Sequence, residues 1–170
     1  EYGMQVSPRI SMLYNPETWT VRGSYGQGFF APTPFIEDIE EAGLSRLAPL
    51  ENLEEEQATT ASIDISYVFD SVETSVTLFA SDVDNVTELQ QIPLYERNSD
   101  KQVRIVNAPG QSEIRGAEFL LRYRWNDLKL TGSYLYTDAS KLNDSGFGRE
   151  PLALTPKHSA GAVLMWEEHG

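Results

Sequence analysis

Residues Ala61–Ala80 read ASIDISYVFDSVETSVTLFA. Side chains of a strand point alternately to its two faces, so this stretch sorts into two sets on either side of Asp70-Ser71. Ala61, Ile63, Ile65, Tyr67 and Phe69 share one face, and Ser62, Asp64 and Ser66 the other. Beyond the reversal, Val72, Thr74, Val76, Leu78 and Ala80 oppose Glu73, Ser75, Thr77 and Ser81. Two such runs joined by two residues predict a β-hairpin.

The same rule extends in both directions. Trp19, Val21, Gly23 and Tyr25 oppose Thr18, Thr20, Arg22 and Ser24. Ala117, Phe119, Leu121, Tyr123 and Trp125 oppose Glu118, Arg122 and Arg124, and Leu128, Leu130, Gly132, Tyr134 and Tyr136 oppose Lys129, Thr131, Ser133 and Thr137. Every charge in these runs falls on one face. Asn15-Pro16 and Asn126-Asp127 read as further two-residue reversals. The alternate connections are long and polar: Phe30–Ala58, roughly Gln91–Gln102 and Ala139–Pro156. The expected fold is all-β, an antiparallel up-and-down meander of about seven strands. These are Met4–Tyr14, Thr18–Phe29, Thr59–Phe69, Val72–Leu89, Val103–Trp125, Leu128–Asp138 and Lys157–Glu168, with a bulge or break at Asn107-Ala108-Pro109-Gly110.

Tight turns on one rim, long loops on the other and two-faced strands between them are the pattern of an outer-membrane β-barrel wall. A water-soluble sandwich also has one apolar and one polar face, so alternation alone leaves both open. The aromatics favour the membrane. Tyr14, Trp19, Phe69, Tyr123, Trp125 and Trp166 all lie close to the tight-turn rim, and such a row is an interfacial girdle. Leu13, Phe79, Leu120, Leu135, Val163 and Met165 break the rule by falling on the polar face. Either something packs inside the barrel or the register is misread there.

Composition narrows the function. The 170 residues carry a formal charge of -13, with no basic stripe to meet phosphates, which argues against nucleic acid. There is no cysteine, hence no disulfide framework and no thiolate metal or redox centre. No apolar run approaches the roughly 20 residues of a membrane-spanning helix, which is no obstacle to a barrel. No signal peptide is visible at Glu1-Tyr2-Gly3, and both ends read as cuts within a larger barrel. Seven strands cannot close, because bacterial barrels have an even number from about eight upward.

The chain resembles the C-terminal part of the barrel of TonB-dependent outer-membrane receptors. Pro8-Arg9-Ile10-Ser11 matches a strand opening of that family. Gly28-Phe29-Phe30-Ala31-Pro32-Thr33 matches an element at a strand top, with Phe30 in place of the usual basic residue. Asn52-Leu53-Glu54-Glu55-Glu56 matches an Asn-Leu-x-Pro-Glu element that has lost its proline. Asn107–Gly110, Arg115-Gly116-Ala117-Glu118 and Pro156-Lys157-His158-Ser159 follow in family order. The resemblance implies a segment of a barrel of about 22 strands. It also implies a plug domain and a TonB box, neither of which lies within residues 1–170. It implies active import of a scarce large nutrient of the siderophore-iron, haem, cobalamin or glycan class, with energy from TonB. Expected partners are outer-membrane lipid, the TonB complex through the plug, and a small-molecule or metal-chelate ligand. A passive porin and a soluble β-sheet binding module are the alternatives.

Candidate site residues follow from position. Phe30, Phe35, Glu37 and Asp38 in the first long connection, and Tyr95 and Arg97 in the second, are candidates for ligand contact, since long loops on a rigid scaffold carry recognition. Asp64, Glu118, Arg122 and Arg124 face the expected lumen and would either meet a plug or simply hydrate the wall. His158 stands alone, and Asp82-x-Asp84-Asn85 lacks the glycine and closing glutamate of a calcium loop, so no metal site and no cofactor is expected. There is no nucleophile elbow, zinc-protease helix or phosphate loop, and the reading is that the chain is no enzyme.

Overall fold

The computed structural model of the protein describes residues 4–33, 46–96, 102–143, 148–152 and 155–167. In chain order the strands are β1 Arg9–Tyr14, β2 Trp19–Phe30, β3 Glu56–Phe69, β4 Val72–Asp84, β5 Thr87–Gln91, β6 Val103–Asn107, β7 Ser112–Trp125, β8 Leu128–Leu142, β9 Arg149–Pro151 and β10 His158–Trp166. The main sheet runs β1-β2-β3-β4-β7-β8-β10, every pair antiparallel, with β9 also on β8. β5 and β6 pair with each other as a separate two-stranded ribbon.

Two of the expected tight turns are present. Asp70-Ser71 joins β3 to β4 and Asn126-Asp127 joins β7 to β8. Asp70 (φ 48°) and Asn126 (φ 49°) take the left-handed conformation these reversals need, which Asp and Asn tolerate best among residues with a Cβ. The first turn differs from expectation. It spans Asn15–Thr18, with Trp19 N–H donating to Pro16 C=O (3.0 Å) and Glu17, not Asn15, at positive φ. The single strand expected over Val72–Leu89 is broken. Asn85 (φ 57°) ends β4, and Thr87–Gln91 turns away into the ribbon. The break at Asn107–Gly110 is where expected, with Gly110 at φ 84° against the Leu142 side chain. Strand pairing continues beyond the expected ends of β2, β3 and β8, so the connections there are shorter than the polar composition suggests.

The register confirms the two faces. One cross-sheet row contains Leu13, Arg22, Asp64, Thr77, Glu118, Leu135 and Ser159, and its neighbour contains Tyr14, Val21, Ile65, Val76, Phe119, Tyr134 and Ala160. The rule-breaking apolar residues therefore do lie on the charged face. For Phe79 the reason is local. Its ring lies across Gly116 on β7, where a Cβ would meet Phe79 Cζ at 2.2 Å and Tyr136 O at 2.7 Å. The ring covers a glycine gap in the neighbouring strand, an aromatic rescue.

Nothing among the described residues covers the apolar face. Ile63 and Ile65 are 43% and 40% exposed, and no side chain among the described residues is fully buried. The chain exposes 12338 Å², whereas a compact monomer of this mass would expose about 8400 Å². A soluble sandwich would have put a second layer on that face. On that face the Thr74 hydroxyl donates to Leu120 C=O (3.0 Å) and so is satisfied without water, and the Tyr134 hydroxyl and His158 Nδ1 bond each other (2.7 Å).

The aromatic girdle adds a second, independent sign. Tyr14 on β1 shares its row with Phe119 on β7, while Trp166 on β10 shares its row with Trp125 on β7. Measured on β7, the girdle has moved six residues over six strand-to-strand steps. Trp19 and Tyr67, in ring contact at 4.5 Å, and then Phe69 and Tyr123 mark the intermediate levels. The upper edge of the apolar band drifts the same way. The row of Ile10, Tyr25, Ala61 and Ala80 is apolar as far as β4, then becomes Arg115 and Asp138. A level belt crosses the rows obliquely only if the strands are tilted. A stagger of one residue per strand corresponds to a tilt of about 36°, within the roughly 35–45° of membrane barrels.

An arginine in the middle of this band tests the assignment. In the full-length receptor in bilayers, Val76→Arg should cost about 2–4 kcal/mol in denaturant unfolding, whereas Ser75→Arg on the other face of the same strand should cost under about 1 kcal/mol. Gly116→Ala should lower stability by about 1–3 kcal/mol in the same assay, because Phe79 has to leave its place.

Candidate ligand-facing loops and lumen wall

The charged face is built as a set of cross-strand polar pairs. Asp64 accepts hydrogen bonds from Thr77 Oγ1 (3.0 Å) on β4 and Ser66 Oγ (3.1 Å) on its own strand. Ser24 and Ser62 hydroxyls meet at 2.7 Å, and Thr60 and Ser81 at 2.9 Å. Arg122 on β7 pairs with its direct neighbour Glu73 on β4 (3.2 Å). These are the same-face contacts that antiparallel register creates, each worth roughly 0.2–1 kcal/mol. They line this face with paired polar groups.

Asp64, Glu118, Arg122 and Arg124 share this face, but in three different rows, so they do not converge. Arg122, Arg124 and Lys129 gather near the tight turns, beside a cleft of about 230 Å³ that also touches Asp70 and Glu73. This is the basic end of the wall. At the long-loop end the same face carries Phe30 and Glu56, directly opposite each other on β2 and β3. Phe30 is half exposed. It sits at the strand end and not out in the loop.

The ribbon β5–β6 and the segment before β3 form the one cluster of buried apolar residues among those described. Leu47, Val103 and Ile105 are its core, flanked by Leu53 and Leu89. Leu47 bridges Val103 in parallel, with Ala48 N–H donating to Val103 C=O (2.9 Å) and Gln102 N–H to Arg46 C=O (2.8 Å). Asn107 closes the cluster. Its Oδ1 accepts from Glu54 N–H (2.8 Å), and its Nδ2 donates to Glu54 C=O (3.0 Å) and Asn85 C=O (2.7 Å). Asn85 Nδ2 in turn donates to Glu55 C=O (3.3 Å). Backbone polar groups in a loop need such partners, and here two asparagine amides supply them.

Tyr95 occupies a short 3-10 turn, Leu94–Glu96, that follows β5. It is 85% exposed and Leu94 is 80% exposed, so the two form an uncovered apolar and aromatic tip. Below it a cleft of about 570 Å³ is lined by Glu51, Asn52, Leu53, Ile92, Glu96 and Arg104 among others. Arg104 is tied to Glu96 (3.5 Å) and to Gln90 Oε1 (2.9 Å). Phe35, Glu37, Asp38 and Arg97 lie outside the described residues. Sequence reasoning singled out Tyr95 and missed Asn85, Asn107 and Glu56 as loop-building residues. The signal was present in the placement of Asn107 just before Pro109-Gly110, where a side-chain amide can bond a passing backbone. Among the described residues no cluster of three or more His, Asp or Glu has the arrangement to hold a metal.

The Asn107 contacts predict a local effect. Asn107→Ala should leave the barrel folded and cost about 1–3 kcal/mol locally. It should speed amide hydrogen exchange over residues 46–56 while leaving exchange in β3 and β4 unchanged.

Comparison with known proteins agrees with this architecture. A family model described as TonB dependent receptor-like, beta-barrel, matches residues 2–169. No curated protein matches the chain significantly. Among solved structures, the siderophore receptor PirA from Acinetobacter baumannii superposes with a TM-score of 0.70 at 17% identity, over 95% of this chain and 26% of its own. The copper transporter OprC gives 0.69 at 16% identity, covering 95% of this chain and 24% of its own. The FrpB iron transporter from Neisseria meningitidis (F5-1 variant) gives 0.67 at 16% identity, covering 95% and 25%. The chain spans about a quarter of the length of these structures. At such identities they establish the fold alone, and the family model establishes the lineage. The open, tilted, two-faced wall is thus a segment of the barrel of the TonB-dependent receptor family, whose members are transporters and receptors of the Gram-negative outer membrane, and this chain belongs to that family.

Proposed function

We propose that the chain is part of an active importer that captures a scarce large nutrient outside the cell and passes it through a plugged barrel with energy from TonB. The observation that carries this reading is the character of the lumen face. An open porin needs a wettable wall. Here Val163 (56% exposed) and Met165 (48% exposed) stand on the polar face, and Leu120 and Leu135 share it. Apolar groups facing a lumen favour a packed protein occupant, and a plug domain is the occupant the family supplies. Asp64, Glu118, Arg122 and Arg124 then become polar contacts of that plug, and outer-membrane lipid covers the opposite face.

The ligand class follows less directly. The neighbours are described as iron, siderophore and copper proteins, and a net charge of -13 favours cationic or metal-bearing ligands over anionic ones by field steering. A small metal chelate contacting Phe30, Tyr95 and the long connections fits both; Phe35, Glu37, Asp38 and Arg97 remain candidates for the same role. Haem, cobalamin and glycans are the other cargoes of this class.

Uptake of labelled metal chelates by cells carrying the full-length receptor tests the proposal. Accumulation should require both the receptor and TonB, and should fall when Tyr95 is replaced by Ala. Accumulation that persists without TonB would point to passive diffusion instead. The reading frame upstream should also encode a plug-sized domain of about 100–150 residues, the size of an ordinary domain.

A further inference from the structure

On the lipid-facing side of the main sheet, the cations among the described residues gather in one sector. Arg115 on β7 follows Phe119 and Ala117 up that face and stands opposite Asp138 on β8, in the row where the apolar band ends. Arg149 on β9 is opposite Leu142 on the same side and donates to Ser140 Oγ (2.9 Å). Lys157, just before β10, reaches the Asp138 carboxylate (3.4 Å). Acids brace the two arginines: Asp82 holds Arg115 (2.8 Å) and Glu113 holds Arg149 (3.0 Å). The Lys157 side chain is the most open of the three, at 57% exposed. Over β1–β4 this face carries no cation, and its outer boundary is marked by uncharged Gln27 and Thr59. A boundary with the headgroups therefore does not itself demand cations.

Just below them the same sector carries hydrogen-bonding rings. Tyr136 and His158 face each other across β8 and β10, with ring centroids 5.3 Å apart. The Tyr134 hydroxyl meets His158 Nδ1, which leaves His158 Nε2 and the Tyr136 hydroxyl without a hydrogen-bond partner among the described residues. Below the rings the side chains shrink. Ala160 is opposite Tyr134 and Ala162 is opposite Gly132, where an added Cβ would meet nothing within 4 Å. The result is a notch in the apolar face, bounded toward the tight turns by the row of Leu130 and Leu164.

Cations, then unpartnered donors, then a bare notch follow one another from headgroup level into hydrocarbon. We propose that this sector of β7–β10 is a seat for one phosphate-bearing lipid of the outer leaflet. Lys157, the Tyr136 hydroxyl and His158 Nε2 take the phosphate, Arg115 flanks it, and an acyl chain fills the notch at Gly132. Basic side chains at a membrane surface attract anionic headgroups, and tyrosines there supply donors from an apolar ring. A soluble anion gains nothing from the notch, and Asp82, Glu113 and Asp138 in the same patch repel it. A lipid phosphate is held at this depth by its own chains, which raises its effective concentration beside Lys157. The inference rests on the lipid-facing assignment of this side and not on the import reading.

Native mass spectrometry of the purified full-length receptor tests it, by titration with dioleoyl phosphatidic acid in mild detergent. The parent should retain phosphatidic acid in preference to dioleoyl phosphatidylcholine, which has the same chains and a neutral headgroup. Lys157→Gln combined with Tyr136→Phe should weaken the binding by about tenfold or more, since both changes remove bonds to a charged group. Thr59→Ala, at the same boundary on β3, should leave it unchanged. Gly132→Leu fills the notch while keeping every cation, and should weaken the binding by about threefold or more. Glycerol phosphate in large excess, the same head without chains, should not displace the lipid. Heat-modifiable migration of the barrel in gels confirms that each variant is folded. Equal retention of the two lipids, or unchanged affinity in the folded Lys157→Gln, Tyr136→Phe receptor, would overturn the inference. Displacement by glycerol phosphate together with parent-like binding in Gly132→Leu would overturn it too, by showing a site for a soluble anion.

Discussion

Hydrocarbon offers no partner to an N–H or a C=O, and this restriction governs the whole structure. A segment that crosses it must satisfy its backbone in a ladder and show lipid only side chains that want no water. Period-two alternation is the consequence, and the register carries it without slippage through every pair of the main sheet. A slip of one residue would turn Asp64, Glu118 and Arg122 toward lipid at once. The absence of a conventional core follows from the same cause. The sheet is one layer whose stability is completed by lipid on one side and by the enclosed interior on the other.

The oblique girdle converts that argument into geometry. Tyr14, Trp19, Phe69, Trp125 and Trp166 mean little as a list, but placed on the ladder they descend by one residue per strand on average from β1 to β10. Interfacial aromatics seek a fixed depth, so their drift across the rows records the tilt at which the strands were selected to stand. An accidental patch on a soluble sheet has no reason to drift at a barrel's stagger, nor to drift in parallel with the upper boundary at Ala80, Arg115 and Asp138.

The wall was legible in the sequence because its determinants are local: alternating side chains and the Asp70 and Asn126 turns. The apolar residues on the polar face were legible as exceptions but not explicable. Only the pairing of Phe79 with Gly116 shows why a ring belongs there. The outer end was the least legible. Val72–Leu89 alternates well enough to read as one strand, yet Asn85 breaks it, because the Asn107 amide and the Glu56 carboxylate, both distant in sequence, hold the ribbon elsewhere. Long-range side-chain-to-backbone bonds leave no periodic trace. The first turn is four residues long rather than two for a local reason: Trp19 N–H bonds to Pro16 C=O, with Glu17 at positive φ.

The claim beneath all of this is that the row of Val72, Thr74, Val76, Leu78 and Ala80 faces lipid while Glu73, Ser75, Thr77 and Phe79 face an enclosed interior. Nitroxide labels placed one at a time along β4 of the full-length receptor in bilayers measure it most directly, through collision with oxygen, which dissolves in lipid, against a water-soluble nickel complex. The account predicts that oxygen accessibility alternates with a period of two and peaks at Thr74, Val76 and Leu78. A flat profile, or peaks at Glu73, Ser75 and Thr77, would contradict it.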